Sequence, residues 1–252
     1  MAAQGPIVGV QCQEAEQAST YGTSRGPSMT LVERNYLSVN RLAYDALADE
    51  YRKRAIVDRV KDAPLVAPFV SYLNEKFGQG CRILDVGPGN GVNLSMFSDA
   101  GLAVVGVDIS QEMLNVARDI CPTAELHHGD FLAVPFADGS FHGVFSKASL
   151  HCFPKGDAMR AFRKIHEILA PGGMFYVTTT AESDSDEGYS SKDDYPGQLV
   201  RFRKHWTPSE LAQAVSGSGF TLLKDGYDFE ADWNKRWYNV WAVKTTALLP
   251  TE

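Results

Sequence analysis

An α/β domain built on a parallel sheet is the fold class this sequence predicts, and three observations lead to it. Short β-rich apolar runs alternate with segments of helical period through the middle of the chain, the order that packs helices on both faces of a parallel sheet. The run Cys81-Arg82-Ile83-Leu84 leads straight into Asp85-Val86-Gly87-Pro88-Gly89-Asn90-Gly91-Val92-Asn93, which reads as a buried strand, a glycine-rich turn and the start of a helix. A second apolar run, Val104-Val105-Gly106-Val107, ends in the acid Asp108.

The elements follow in order. From Met1 to about Met29 the chain is rich in Gly, Gln, Ser, Thr and Ala without periodicity, and reads as a tail, with order expected from near Leu31. Tyr36, Leu37, Val39, Leu42, Ala43, Tyr44, Leu47, Ala48 and Tyr51 recur at helical spacing, and a second amphipathic helix is expected from Pro64 to Phe77, ended by Gly78 and Gly80. Strand Arg82–Val86 and a helix near Asn90–Asp99 precede strand Val104–Asp108. Ser110 then caps a helix through Ile120, with Glu112 in its positive first turn. Glu125–His128 and Gly143–Lys147 are the third and fourth strands, Asp157–Leu169 is an amphipathic helix, and the turn Pro171-Gly172-Gly173 leads into a fifth strand, Met174–Thr180.

The stretch Glu182–Pro196 is acidic, serine-rich and lacks apolar periodicity, so it reads as a long loop of the kind that forms lids. Thr207-Pro208-Ser209-Glu210 is a capping box with proline at the first helical position, opening a helix to about Ser218. Phe220–Leu223 and Arg236–Val243 read as closing strands. Domain limits follow: a tail over 1–29, one domain over 30–246 with a lid-like insertion at 182–206, and a short tail over 247–252.

Composition narrows the function. The chain has 252 residues, enough for one sizeable core, and a net charge of −7, which argues against a nucleic-acid backbone as partner. Arg201-Phe202-Arg203-Lys204-His205 is the one local basic cluster, too short to track a polymer but adequate for one small anion. Cys12, Cys81, Cys121 and Cys152 are scattered without a C-x-x-C pair, so no metal site is expected. Adjacent His127 and His128 would point to opposite strand faces and make a poor metal pair. No run is long and apolar enough to cross a membrane. Without a secretory pattern at the N-terminus, the expected compartment is the cytoplasm.

The glycine turn carries the chemistry. A bare-backbone turn at a helix start offers amides to a ligand. Asp85 beside it suits a bound ammonium and would repel a phosphate. Asp108 at the next strand end is placed for a ribose diol. Together they suggest a nucleoside bearing an amino acid, with S-adenosylmethionine the obvious candidate. A dinucleotide site needs G-x-G-x-x-G, whereas Gly87, Gly89 and Gly91 form G-x-G-x-G with Val92 where the third glycine should stand.

Five blocks in order resemble the class I S-adenosylmethionine-dependent methyltransferases, small-molecule branch, over roughly Leu31 to Lys244. These are Asp85–Gly91, Val105–Ser110, Gly129-Asp130-Phe131 with Pro135-Phe136, Phe145-Ser146-Lys147-Ala148-Ser149-Leu150-His151, and Leu169–Gly173. The resemblance implies a Rossmann-like, seven-stranded, mostly parallel sheet with an antiparallel last strand and an N-terminal helical cover. It implies Asp85 near the cofactor's amino group and the turn Gly87, Gly89, Asn90 and Gly91 around its methionine part. Asp108 would take both ribose hydroxyls, Ile109 and Met113 would pack on the adenine, and Asp130 and Phe131 would bond the adenine edge. Ser146 belongs to the fourth-strand block, and Tyr36 and Tyr44 lie on one face of the covering helix.

Methyl transfer from a sulfonium is a direct displacement, so positioning dominates and a general base is optional. His151, just past the fourth strand, is the candidate base; it could equally order the loop. The lid region gathers Asp193, Asp194, Tyr195, Arg201, Arg203, His205 and Trp206. Tyr195, Arg203 and His205 are the candidate acceptor contacts, and arginine can hold a carboxylate bidentately, whether the acceptor's or the cofactor's own. Trp237, Asn239 and Trp241 share a strand face, read first as core packing. The sequence leaves three functions open: methylation of a small metabolite at nitrogen or oxygen, a non-methylating relative that cyclises the cofactor's methionine part and releases methylthioadenosine, or a cofactor-binding regulator.

Overall fold

The computed structural model describes residues 35–192, 199–230 and 234–245. Its centre is a seven-stranded sheet ordered β3-β2-β1-β4-β5-β9-β8. In chain order the strands are β1 (Arg82–Val86), β2 (Ala103–Asp108), β3 (Glu125–His128), β4 (Phe141–Lys147), β5 (Leu169–Thr180), β8 (Phe220–Glu230) and β9 (Lys235–Lys244). The first five pair in parallel, and β9 runs antiparallel between β5 and β8. The order reverses between β1 and β4, which opens a crevice at the carboxyl ends of the strands.

Side chains alternate across the sheet as a two-residue period requires. Leu84, Val105 and Val144 face the helices α4 (Lys155–Ile168) and α5 (Pro208–Ser216), packing with Phe162, Ile165 and Leu211. Ile83, Val104 and Phe145 face the other way, packing with Phe69, Leu73 and Phe97 from α1 (Asn35–Phe77) and α2 (Val92–Asp99). Two local expectations hold in atomic detail. The Ser110 hydroxyl accepts from the Met113 amide to cap α3 (Gln111–Ile120), and the Thr207 hydroxyl accepts from the Glu210 amide to cap α5. Glu210 itself turns to Lys155, Lys204 and Ser185. Those hydrogen bonds outweigh the opposing effect of burial and pull its carboxyl down to about 2.

Four expectations need correction. The two N-terminal helices are one continuous helix of 43 residues with Pro64 and Pro68 inside it. Each proline removes one ladder bond, but the far half is anchored on the core by Val66, Phe69 and Leu73, and packing outweighs the local cost. The sequence Glu182–Pro196 is not all loop, because Asp186–Lys192 forms β6, which pairs antiparallel with β7 (Leu199–His205). Its pattern is weak because the hairpin stands apart from the main sheet and buries mainly its β7 side, with Tyr189 edge-on to Phe202. Pro171-Gly172-Gly173 lies within β5, where the register shifts opposite Phe141 and Gly143 and Gly172 takes a positive φ of 78°. Finally, β8 runs well past Leu223 to Glu230, with polar residues that periodicity reads as loop but that pair along β9. The expected tail over 1–29 lies outside the described residues.

Candidate functional site

The glycine turn sits at the crevice mouth. The Gly87 amide donates to the Val107 carbonyl at 2.9 Å, tying the turn to the neighbouring strand. Gly91 has φ 78°, and an added Cβ would lie 2.6 Å from the Ala117 backbone of α3. Glycine is required there for both reasons. Asn90 does not reach into open space: its amide donates to the Tyr51 carbonyl and to Asp58, both on α1, at 3.0 Å each.

Around this turn lies a small chamber of about 160 Å³, lined by Tyr36, Tyr44, Gly87, Gly89, Asn90, Asp108, Ile109, Met113 and Phe131 among others. Asp108 accepts from the Ser110 amide at 2.9 Å, and burial pushes its carboxyl up to about 6, against the lowering effect of the Ser110 and Gly89 amides. Asp85 is buried behind the turn, with one carboxylate oxygen lacking any hydrogen-bond partner among the described residues. Burial first, and then the charges of Asp108 and Asp62, hold its carboxyl well above the usual range, with Lys147 opposing. A buried carboxylate in that condition calls for a cationic donor, and an amino-acid ammonium fits it. Asp130 stands beside the chamber and accepts from the Leu132 amide at 2.9 Å. Ser146 is fully buried with its hydroxyl unpartnered.

A larger chamber of about 840 Å³ adjoins the first. Tyr44, Tyr51, Asp58, Asp62, Lys147 and Ala148 line both, so they form the shared wall. The large chamber takes in His151, which is buried on the single helical turn after β4, together with Arg201 and Arg203 from β7. Trp237, Asn239 and Trp241 line it as well. Their strand face therefore borders this space, with Trp241 also part of the core that packs on α1. His205 is placed elsewhere: it pairs with Asp186 across the hairpin at 2.8 Å and does not line the chamber. Tyr195, Asp193 and Asp194 lie outside the described residues.

Several residues here escaped sequence reasoning. Asn40 is buried and staples three elements: its amide donates to the Cys152 carbonyl at 2.9 Å and its carbonyl accepts from the Phe202 amide at 2.7 Å. Asp62, also buried, pairs with Lys147 at 2.7 Å. Burial pushes its carboxyl up, with the Lys147 charge opposing. The available signal was polarity in the wrong place, because Asn40 interrupts the apolar stripe Tyr36, Tyr44, Leu47 and Tyr51 of α1. Among the described residues no cluster of histidine, cysteine or acid could hold a metal ion, and no helix is long and apolar enough to cross a membrane.

A chamber bordered by the glycine turn and the strand-end acid Asp108, at the reversal point of a Rossmann-like sheet, is where open α/β sheets bind their ligands. Residues 83–173 match the methyltransferase-domain family. Over that stretch the chain is similar to the class I S-adenosylmethionine-dependent methyltransferases, whose cofactor is S-adenosylmethionine. Over 97 residues it is 39% identical to demethylmenaquinone methyltransferase of Chlorobaculum parvum, covering 38% of this chain and 39% of that protein. Over 165 residues it is 30% identical to 24-methylenesterol C-methyltransferase 2 of Oryza sativa subsp. japonica, covering 58% of this chain and 43% of that protein. It is similar in fold to the Burkholderia thailandensis 1,6-didemethyltoxoflavin-N1-methyltransferase, solved with 1,6-didemethyltoxoflavin and S-adenosylhomocysteine. That likeness has a TM-score of 0.65 at 20% identity over 88% of this chain and 94% of that chain. The chain spans about two fifths of the length of the first curated relatives it matches.

Proposed function

We propose that this protein methylates a small-molecule acceptor at nitrogen or oxygen, with S-adenosylmethionine in the small chamber and the acceptor in the large one. The observation that carries the reading is the pair of adjoining chambers with a shared wall. Such a pair lets two ligands meet end to end, which is what an in-line displacement needs. When bound, the cofactor supplies an activated methyl group on its sulfonium. The chain's own residues do the rest: Asp85 answers the ammonium, the Gly87–Gly91 turn follows the methionine part, and Asp108 accepts from the ribose hydroxyls. Ile109, Met113 and Phe131 flank the base, with Asp130 at its edge.

On the acceptor side, His151 is the proposed general base, since it lies in the large chamber's wall at the end of β4. The relatives named for quinone, sterol and heteroaromatic substrates support a small organic acceptor. Residues 30–246 make up the proposed domain, with 182–206 as its lid, and we place the protein in the cytoplasm.

The test is mass spectrometry of the purified protein with S-adenosylmethionine alone and then with pooled metabolites. S-adenosylhomocysteine formed only with the pool, matched by one pool member gaining a methyl mass, is the expected result. Methylthioadenosine released without any acceptor would overturn it. His151→Asn is expected to slow turnover about 100-fold while cofactor affinity stays unchanged, and undiminished turnover would reduce His151 to a wall residue.

A further inference from the structure

The large chamber is electrostatically lopsided. Its acidic residues are each answered: Asp62 by Lys147, Asp58 by Asn90 and Arg54, Asp228 by Asn239, and Glu230 by Lys61 and Trp237. Two of its arginines are not. Arg201, 7% exposed, donates to the Tyr44 hydroxyl at 3.3 Å. Arg203 donates to the Thr180 hydroxyl, which in turn donates to Glu182 at 2.7 Å. Neither guanidinium forms an ion pair with a described carboxylate, and the Nε of each is buried without a hydrogen-bond partner.

Two adjacent guanidiniums held by neutral hydroxyls are costly to bury. Burial, and next the Arg201 charge, hold Arg203 below the ordinary guanidinium range. Their spacing along β7 puts both on one face of the hairpin, toward the chamber. The rest of the lining is of another kind: Trp237, Trp241, Met174 and Leu65 give it an aromatic and apolar wall.

Building on the methyltransferase reading, we propose that the acceptor is an amphiphilic acid, with a carboxylate clamped by Arg201 and Arg203 and an apolar, ring-bearing body against Trp237 and Trp241. Guanidinium forks match carboxylates in plane and in pairs. The cofactor's own carboxylate is the other possible source of this anion. The geometry favours the acceptor, because both arginines line the large chamber and neither lines the small one.

Titration calorimetry tests this on the intact protein saturated with S-adenosylhomocysteine. The probes are benzoate, 2-naphthoate and indole-3-carboxylate, each against its neutral amide. At least one acid is expected to bind tenfold or more tightly than its amide. In the Arg201→Gln, Arg203→Gln double variant that preference is expected to vanish, with S-adenosylhomocysteine affinity within twofold of wild type. The wild-type comparison of acid with amide stands even if the variant does not fold. No acid binding ahead of its amide overturns the proposal, as does a preference that survives in the double variant. A tenfold loss of S-adenosylhomocysteine affinity in the variant also overturns it, by assigning the arginines to the cofactor. Wild-type protein that prefers the acids yet binds no S-adenosylhomocysteine would strike the methyltransferase reading and spare the anion clamp.

Discussion

The two chambers of this molecule are built on different principles. The small one has a local floor, because the turn Gly87–Gly91 and Asp108 come from two adjacent parallel strands and the links that leave them, with α1 and the turn after β4 closing over it. The large one is assembled from far apart, with α1, the turn after β4, β5, β7, β8 and β9 each supplying one wall. The first is fixed by the backbone of the sheet. The second is fixed by side chains that join separate elements, the Asp62–Lys147 pair among them. A fold built this way can hold one ligand constant while the other changes, because most of the large chamber's lining lies outside the shared wall.

That contrast can be broken at either chamber. The largest effect is expected from Asp108→Ala, which on the proposed reading removes two charge-assisted hydrogen bonds to the ribose and should weaken S-adenosylhomocysteine binding by about 2–4 kcal/mol. Calorimetry showing unchanged affinity would remove Asp108 from the site. Gly91→Ala comes next. Its Cβ would press on the Ala117 backbone in a left-handed conformation, and denaturant unfolding should show a loss of roughly 2–3 kcal/mol.

Trp237→Ala should leave S-adenosylhomocysteine affinity unchanged and raise the acceptor KM by about tenfold, on the order of the 0.5–1.5 kcal/mol an aromatic contact contributes. An equal loss for both ligands would show that the chambers are not independent.

A pH series sharpens the same point. Burial pushes the Asp108 carboxyl up to about 6; on the proposed reading ribose hydroxyls donate to its ionised form, so binding would draw the proton away. Cofactor affinity should therefore be full above that value and fall as pH drops through it, about tenfold between pH 7 and pH 5. Asp85, also raised, acts in the same direction toward the ammonium. In the free protein the sign is opposite: a carboxyl raised by burial favours the folded state at low pH, and that contribution is lost as pH rises through about 6. Asp108→Asn should flatten the binding profile in its share, and a profile that keeps its full slope would place the titrating group elsewhere.

Legibility followed the range of the interactions. Ser110 and Thr207 were readable as caps because a cap bonds to an amide only three residues on. Strand β1 was readable because the buried apolar residues Ile83, Leu84 and Val86 stand together just before the glycine turn. By contrast, β6 was read as loop and β8 was cut short, since each is specified by its partner strand and not by its own pattern. Two helices were expected where the structure has one, because proline's local cost is visible in sequence and the packing of Phe69 and Leu73 that outweighs it is not.

By itself the sequence determined the α/β class, the first five strands in chain order, the glycine turn and the two strand-end acids, all of which depend on neighbours along the chain. Only the tertiary structure decided that Trp237 and Trp241 border a chamber, that Arg201 and Arg203 enter it without a carboxylate partner while His205 turns to Asp186, and that Asn40 and Asp62 hold the walls. The physical reason is range: these outcomes depend on which charges and rings meet after distant segments pack, and no local spacing encodes that meeting.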